Sequence, residues 1–178
     1  MPFNVSMSGA SGTTERTLED LYRRHFPEAA RLAFLLTGDR VLAEDLAQEA
    51  FVRLTGRFAH LRNREAFGAY LRRTVVNLVK NQFRRRAVER RYLEAERPRT
   101  PPADLQPDVA TSELVRWALM ELPPRQRLAL VLRYYEDLSE RQIGEAIGCA
   151  PGTVKSLLSR GTATLRERMA AESETDGE

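Results

Sequence analysis

The sequence predicts an all-α chain of two small helical domains joined by a flexible, proline-rich linker. Three observations carry this expectation. From Thr17 onward, apolar residues recur at helical spacing almost throughout. That periodicity lapses in "EAERPRTPPADLQPD", which holds four prolines in 15 residues. It then resumes at Ser112, with prolines at helix starts and a glycine turn. A length of 178 residues with 42% hydrophobic content suits one compact domain or two small ones, and the spread of Gly and Pro favours two.

The elements follow in order. Residues 1–14 are rich in Ser, Gly and Thr and are expected to be disordered. Thr17 can cap a first helix, with Asp20 three residues on and Leu18, Leu21 and Tyr22 opening its apolar face. Pro27 should break or restart that helix, and "EAARLAFLL" then runs to Gly38, where Asp39 can cap the next helix. Over residues 40–55, Ala43, Leu46, Ala47, Ala50, Phe51 and Leu54 fall on one side. Asp45, Gln48, Glu49 and Val52 fall on the other. Their arrangement suits either a solvated face or a protein contact, and Val52 within the acidic stripe favours the contact.

After the connection "GRFAHLRNREAF", a helix is expected over residues 64–86, with Phe67, Leu71, Thr74, Val75 and Leu78 buried. Facing away are Arg73, Asn77, Lys80 and Arg84, a stripe about 16 Å long at helical rise. Only Glu65 accompanies the seven bases from Arg64 to Arg86, so intrahelical ion pairs do not account for the stripe; between a solvated face and phosphate contact, the pattern favours phosphate contact. The linker, extended, reaches about 45 Å, more than the roughly 34 Å of one DNA turn.

In the second half, Leu114, Trp117 and Leu119 of "SELVRWALMEL" are expected in the core. Pro123 and Pro124 start a further helix, and Ser139 with Gln142 forms a capping-box pair ahead of "IGEAIG". Gly148 supplies a tight turn and Pro151 begins the last helix. There Val154, Leu157, Leu158, Leu165 and Met169 face inward, while Lys155, Ser156, Ser159, Arg160 and Ala163 face out. Hydroxyls interleaved with bases after a glycine turn point to a helix-turn-helix that enters a DNA major groove.

Charge and composition exclude several classes. The formal net charge is only +3, yet residues 53–99 hold 14 Lys+Arg against 4 Glu, while the last eight residues, "AESETDGE", carry four acids and no base. This polarity fits a polyanion-binding surface with a solvated acidic tail. The single cysteine, Cys149, permits no intramolecular disulfide, and its expected role is packing in the turn. His25 and His60 lack ligand spacing, and no P-loop, metal-ligand cluster or nucleophile beside a base is present, so no catalytic residue, metal or cofactor is expected. No signal peptide and no 18-residue apolar window appear, so a cytoplasmic protein without membrane insertion is expected.

Taken together, these segments resemble a small alternative sigma factor of bacterial RNA polymerase, of the extracytoplasmic-function (ECF) type in the sigma-70 family. "LYRRHFPEAARLAFLLTGDRVLAEDLAQEAFVRL" and "AYLRRTVVNLVKNQFRRR" are similar to the family's region 2. "LMELPPRQRLALVLRYYEDLSERQIGEAIGCAPGTVKSLLSRGTATLRERM" is similar to its region 4. The resemblance implies region 2 over residues 15–92, a linker over 93–111, region 4 over 112–170 and an acidic tail over 171–178. It implies that Asp45, Gln48, Glu49 and Val52 dock on the clamp helices of core RNA polymerase. Arg73, Asn77, Lys80 and Arg84 would face the −10 promoter element, and Thr153, Lys155, Ser156, Ser159 and Arg160 would read the −35 element. The connection from Arg57 to Arg64 would capture an unstacked base, with Phe58, His60 and Asn63 as candidates, although Phe58 serves equally as a core residue. The implied partners are core RNA polymerase and promoter DNA, with an anti-sigma factor as a third candidate. Two departures stand out: Ala150 replaces the family's frequent Ser or Thr cap, and Gly161 stands where Ala is usual. A stand-alone helix-turn-helix regulator is the competing reading; it would bind its site without polymerase.

Overall fold

The computed structural model describes residues 10–56, 66–92 and 110–175 of the chain. They form seven helices: α1 (Ala10–Thr37), α2 (Arg40–Thr55), α3 (Phe67–Tyr92), α4 (Ala110–Glu121), α5 (Pro124–Tyr134), α6 (Glu140–Ile147) and α7 (Pro151–Thr175). No strand occurs among the described residues. The all-α expectation is met, and α2 has the bounds its periodicity predicts.

Helices α1, α2 and α3 pack on one another, and α7 packs on α4, α5 and α6. Within the first group a chain of rings pins three helices together. Tyr22 stacks on Phe26 at 4.4 Å and meets Phe51 edge-on at 5.1 Å; Phe51 meets Phe67 at 5.6 Å. Such pairs add stabilisation beyond area burial, and here they fix the roll of α3 against α1 and α2. The buried side of α2 is Ala43, Leu46, Ala47, Ala50, Phe51 and Leu54, as its spacing requires.

Gly38 ends α1 with φ of +71° and donates to Phe34 O at 2.8 Å. Asp39 caps α2 by accepting from the Leu42 N–H at 3.0 Å. In the second group Pro124 occupies the first turn of α5, where a missing N–H costs nothing.

Four expectations are corrected. First, α1 begins at Ala10, so Thr17 does not start it, and residues 10–14 are helical rather than disordered. Second, α1 continues unbroken through Pro27. An interior proline removes one hydrogen bond and costs about 3 kcal/mol. Burial of Ala29, Leu32, Ala33 and Leu36 in the turns that follow outweighs that cost, at roughly 1.5–3 kcal/mol for each large side chain. Third, α3 starts at Phe67 and extends to Tyr92, and α4 begins at Ala110, two residues before Ser112. Fourth, Trp117 is 38% exposed, while its neighbours Ala118 and Leu119 are buried. On a helix, adjacent positions diverge by about 100°, so burying Ala118 and Leu119 turns Trp117 outward.

The two groups of helices also share one hydrophobic core, running from Leu32 and Val79 through Leu122 and Leu132 to Val154.

Candidate nucleic-acid interface

The α6–turn–α7 unit is assembled by local chemistry. The Ser139 hydroxyl accepts from the Gln142 N–H at 3.3 Å, and the Gln142 side chain accepts from the Ser139 N–H at 2.9 Å, closing a capping box on α6. Gly148 adopts φ of +75° and donates to Gly144 O at 2.8 Å, and the Cys149 N–H reaches the same oxygen at 3.0 Å. A Cβ on Gly144 would lie 2.6 Å from Cys149 O, so this turn closes only over a glycine. Pro151 then begins α7.

One side of α7 is anchored by buried Val154. Gly161 is buried too, and a Cβ there would meet Leu130 Cδ1 at 3.1 Å, so the departure from Ala goes with a close approach of α7 to α5. Thr153, Lys155, Ser156, Ser159 and Arg160 are all exposed on the outward side. The Ser156 hydroxyl donates to Gly152 O at 3.1 Å, which leaves its oxygen free to accept. Arg160 Nε donates to Ser156 O at 3.4 Å, and the residue is exposed. Beside them a groove between α5, α6 and α7 is lined by Arg133, Tyr134, Glu140, Lys155, Ser159 and Arg166, so that its cations outnumber its one carboxylate. A face of cations, hydroxyls and exposed Tyr134 suits phosphate contact and base-edge readout.

On α3, Arg73, Asn77 and Arg84 are exposed, as the stripe requires. Lys80 is different. It is half-buried, and its ammonium donates to Ala146 O, in the last turn of α6, at 3.1 Å. Helix ends leave carbonyls without intrahelical partners and attract cations, which explains the capture. Burial, with Arg84 and Arg125 nearby, holds the Lys80 pKa below its ordinary value. The stripe is therefore interrupted at its centre, a correction to the continuous face that spacing predicts. Asn63, Phe58 and His60 lie outside the described residues.

On α2, Asp45, Gln48, Glu49 and Val52 all point to solvent, with Val52 61% exposed and Glu49 paired to Arg53. Val41, 72% exposed and four residues before Asp45, lengthens the apolar component of this face. The i−4 spacing would have revealed it. Among the described residues no cluster of three or more His, Cys, Asp or Glu is placed to hold a metal, and no helix is long and apolar enough to cross a membrane.

Comparison with known proteins matches this layout. The family description "Sigma-70 region 2" fits residues 21–89, and "Sigma-70, region 4" fits residues 112–165. The chain is 35% identical over 153 residues to the RNA polymerase sigma-E factor of Streptomyces coelicolor, covering 86% of each. It is 35% identical to the ECF RNA polymerase sigma factor SigE of Mycolicibacterium smegmatis, covering 87% of this chain and 62% of that one. The solved sigma factor RpoE in complex with the anti-sigma factor NepR from Bartonella quintana aligns over 87% of this chain and 98% of that one, with a TM-score of 0.72 at 22% identity.

Proposed function

Because the chain belongs to the sigma-70 family of RNA polymerase sigma factors, of the ECF type, we propose how its three outward faces share the work of promoter recognition. The chain is a transcription initiation factor that binds core RNA polymerase and promoter DNA. Residues 15–92 act as region 2 and residues 112–170 as region 4, with 93–111 as the tether and 171–178 as an acidic tail. Asp45, Gln48, Glu49 and Val52 dock on the polymerase. Arg73, Asn77, Lys80 and Arg84, with Asn63 in the preceding connection, engage the −10 element. Thr153, Lys155, Ser156, Ser159 and Arg160 read the −35 element. The chemistry stays with the polymerase; this chain contributes binding energy to promoter choice and strand opening. Its place of action is the cytoplasm, and an anti-sigma factor is a further partner.

One observation carries the reading: a single chain presents a mixed acidic and apolar face on α2 and a base-and-hydroxyl face on α7, both fully outward. A stand-alone DNA reader has use for the second face but not the first. Co-elution with purified core RNA polymerase tests the assignment. The native chain should co-elute, and Asp45→Arg with Glu49→Arg should lose most of that affinity while keeping full helicity, since both residues lie opposite the buried side of α2. Undiminished co-elution of the double variant would refute α2 as the docking face.

A further inference from the structure

We infer that Gly161 is a positioning residue for promoter binding. It seats α7 directly on α5, and so holds the outward side chains of α7 at the separation from Arg133 and Tyr134 of α5 at which one stretch of duplex meets both. The inference rests on the sigma-factor reading, which supplies that duplex.

Position 161 lies on the inward stripe of α7. Val154, Leu157, Leu158 and Leu165 of that stripe each bring a branched side chain to the core. Gly161 falls among them at helical spacing and is buried, with no side chain to contribute. Glycine is a poor helix former, so its place in the middle of a 25-residue helix is explained by what a side chain would collide with. A Cβ there would lie 3.1 Å from Leu130 Cδ1, 3.2 Å from Leu130 Cγ and 3.3 Å from Gln126 Cβ. Those two residues stand one turn apart on α5, so the bare backbone of α7 lies across the ridge they form. Leu130 is 3% exposed and belongs to the core, so it has no free space to retreat into.

The seat acts on the DNA-facing side as a lever. The first turn of α7 is pinned to α6: Val154 is fully buried, and its Cγ2 lies 3.6 Å from where a Gly144 Cβ would stand. The middle of α7 is pinned to α5 at Gly161. Lifting that second point tilts α7 about the first. The tilt widens the groove in which Arg133 and Tyr134 of α5 face Lys155, Ser159 and Arg166 of α7. Ser159 comes two residues before Gly161 and Tyr134 one turn after Leu130, so groove and seat are neighbours on both helices. Arg133 does not follow α7 outward, because its Nη1 donates to Leu138 O at 3.0 Å. Hydrogen bonds to phosphates and base edges weaken steeply when misplaced. A tilt that leaves the fold intact therefore still loosens the grip on duplex DNA.

Gly161→Ala is the test, in the full-length chain reconstituted with core RNA polymerase on a promoter that the native chain transcribes. It adds one methyl group, raises helix propensity and alters no charge or outward side chain. Circular dichroism should show native helicity. The holoenzyme concentration for half-maximal initiation should rise at least about fivefold, while the rate at saturation stays within about twofold of native. A general loss of fold would lower the saturating rate instead. Tyr134→Ala, at an exposed position, supplies the second arm. Alone it should raise the half-maximal concentration about threefold; added to Gly161→Ala it should raise it little further, because a displaced α7 no longer shares the duplex with α5. An unchanged half-maximal concentration in Gly161→Ala, lost helicity, a fallen saturating rate, no effect of Tyr134→Ala alone, or fully multiplying losses in the double variant would each overturn the positioning role. No transcription with the native chain on any template would defeat the sigma-factor reading and this inference with it.

Discussion

Arg127 Nη1 donates to Leu36 O at 2.8 Å, so a buried guanidinium from α5 closes the C-terminal turn of α1. Among the described residues no carboxylate pairs with it. Burial lowers its pKa to about 10, with Glu121 opposing that shift, and it stays charged at neutral pH. The arginine holds because its planar fork meets carbonyls from several directions, an arrangement a lysine ammonium does not reproduce.

Arg127→Leu should therefore leave the carbonyls of Leu36, Met120 and Leu122 without this donor and cost about 3 kcal/mol. In thermal denaturation that corresponds to a fall of about 6–12 °C for a chain of this size. Arg127→Lys should recover less than half of the loss.

The turn before α7 gives a matched pair of glycine substitutions. Gly144→Ala places a Cβ 2.6 Å from Cys149 O, against backbone that cannot step aside, and should cost about 2–3 kcal/mol. Gly152→Ala, where a Cβ meets nothing within 4 Å, should be neutral or stabilise by a few tenths of a kcal/mol. Urea titrations of the two variants read the contrast directly.

Much of this was legible in the sequence, and the failures have physical causes. The two sides of α2, the Ser139–Gln142 box, the Gly148 turn and the prolines opening α5 and α7 are local, and local spacing reveals them. Pro27 was misread because burial of the turns that follow it overrode a local rule. Trp117 was placed inside with Leu119 as an apolar residue, but the helix buries Ala118 beside Leu119 and turns Trp117 outward. Arg127, Lys80 and Glu136 were missed as junction residues because their partners lie 91, 66 and 64 positions away, beyond any periodic signal. For Asn63, Phe58 and His60 the sequence supplied a role by resemblance, and they lie outside the described residues.

The Glu136 carboxyl should make folding stability pH-dependent. Burial raises its pKa above the ordinary 4.5, with Glu28 adding to the rise and Arg72 opposing it. Arg31 lies beside the neutral Tyr135 hydroxyl in the same surroundings. A raised acid pKa means that the folded state takes up a proton more readily than the unfolded one. Glu136's contribution to folding stability is then full below pH 4.5 and falls away as pH rises through the higher folded-state value. Stability of the native chain relative to Glu136→Gln should decline across that window as pH increases, measured by urea titration from pH 4 upward. A flat difference would mean that Arg72 cancels the burial effect.

On α7, Arg160→Ala should weaken initiation at promoters with an intact −35 element by about 1–3 kcal/mol, roughly 5- to 150-fold, if the side chain meets a base. Single-round transcription on templates with native and scrambled −35 sequences separates the possibilities. An equal loss on both would assign Arg160 to a phosphate.

The most direct measurement is run-off transcription by core RNA polymerase reconstituted with this chain on a library of genomic fragments, with start sites mapped. The account predicts transcripts absent from core enzyme alone, whose aligned upstream sequences share two blocks, near −10 and −35. No new transcripts, together with tight duplex binding by the chain in the absence of polymerase, would contradict it.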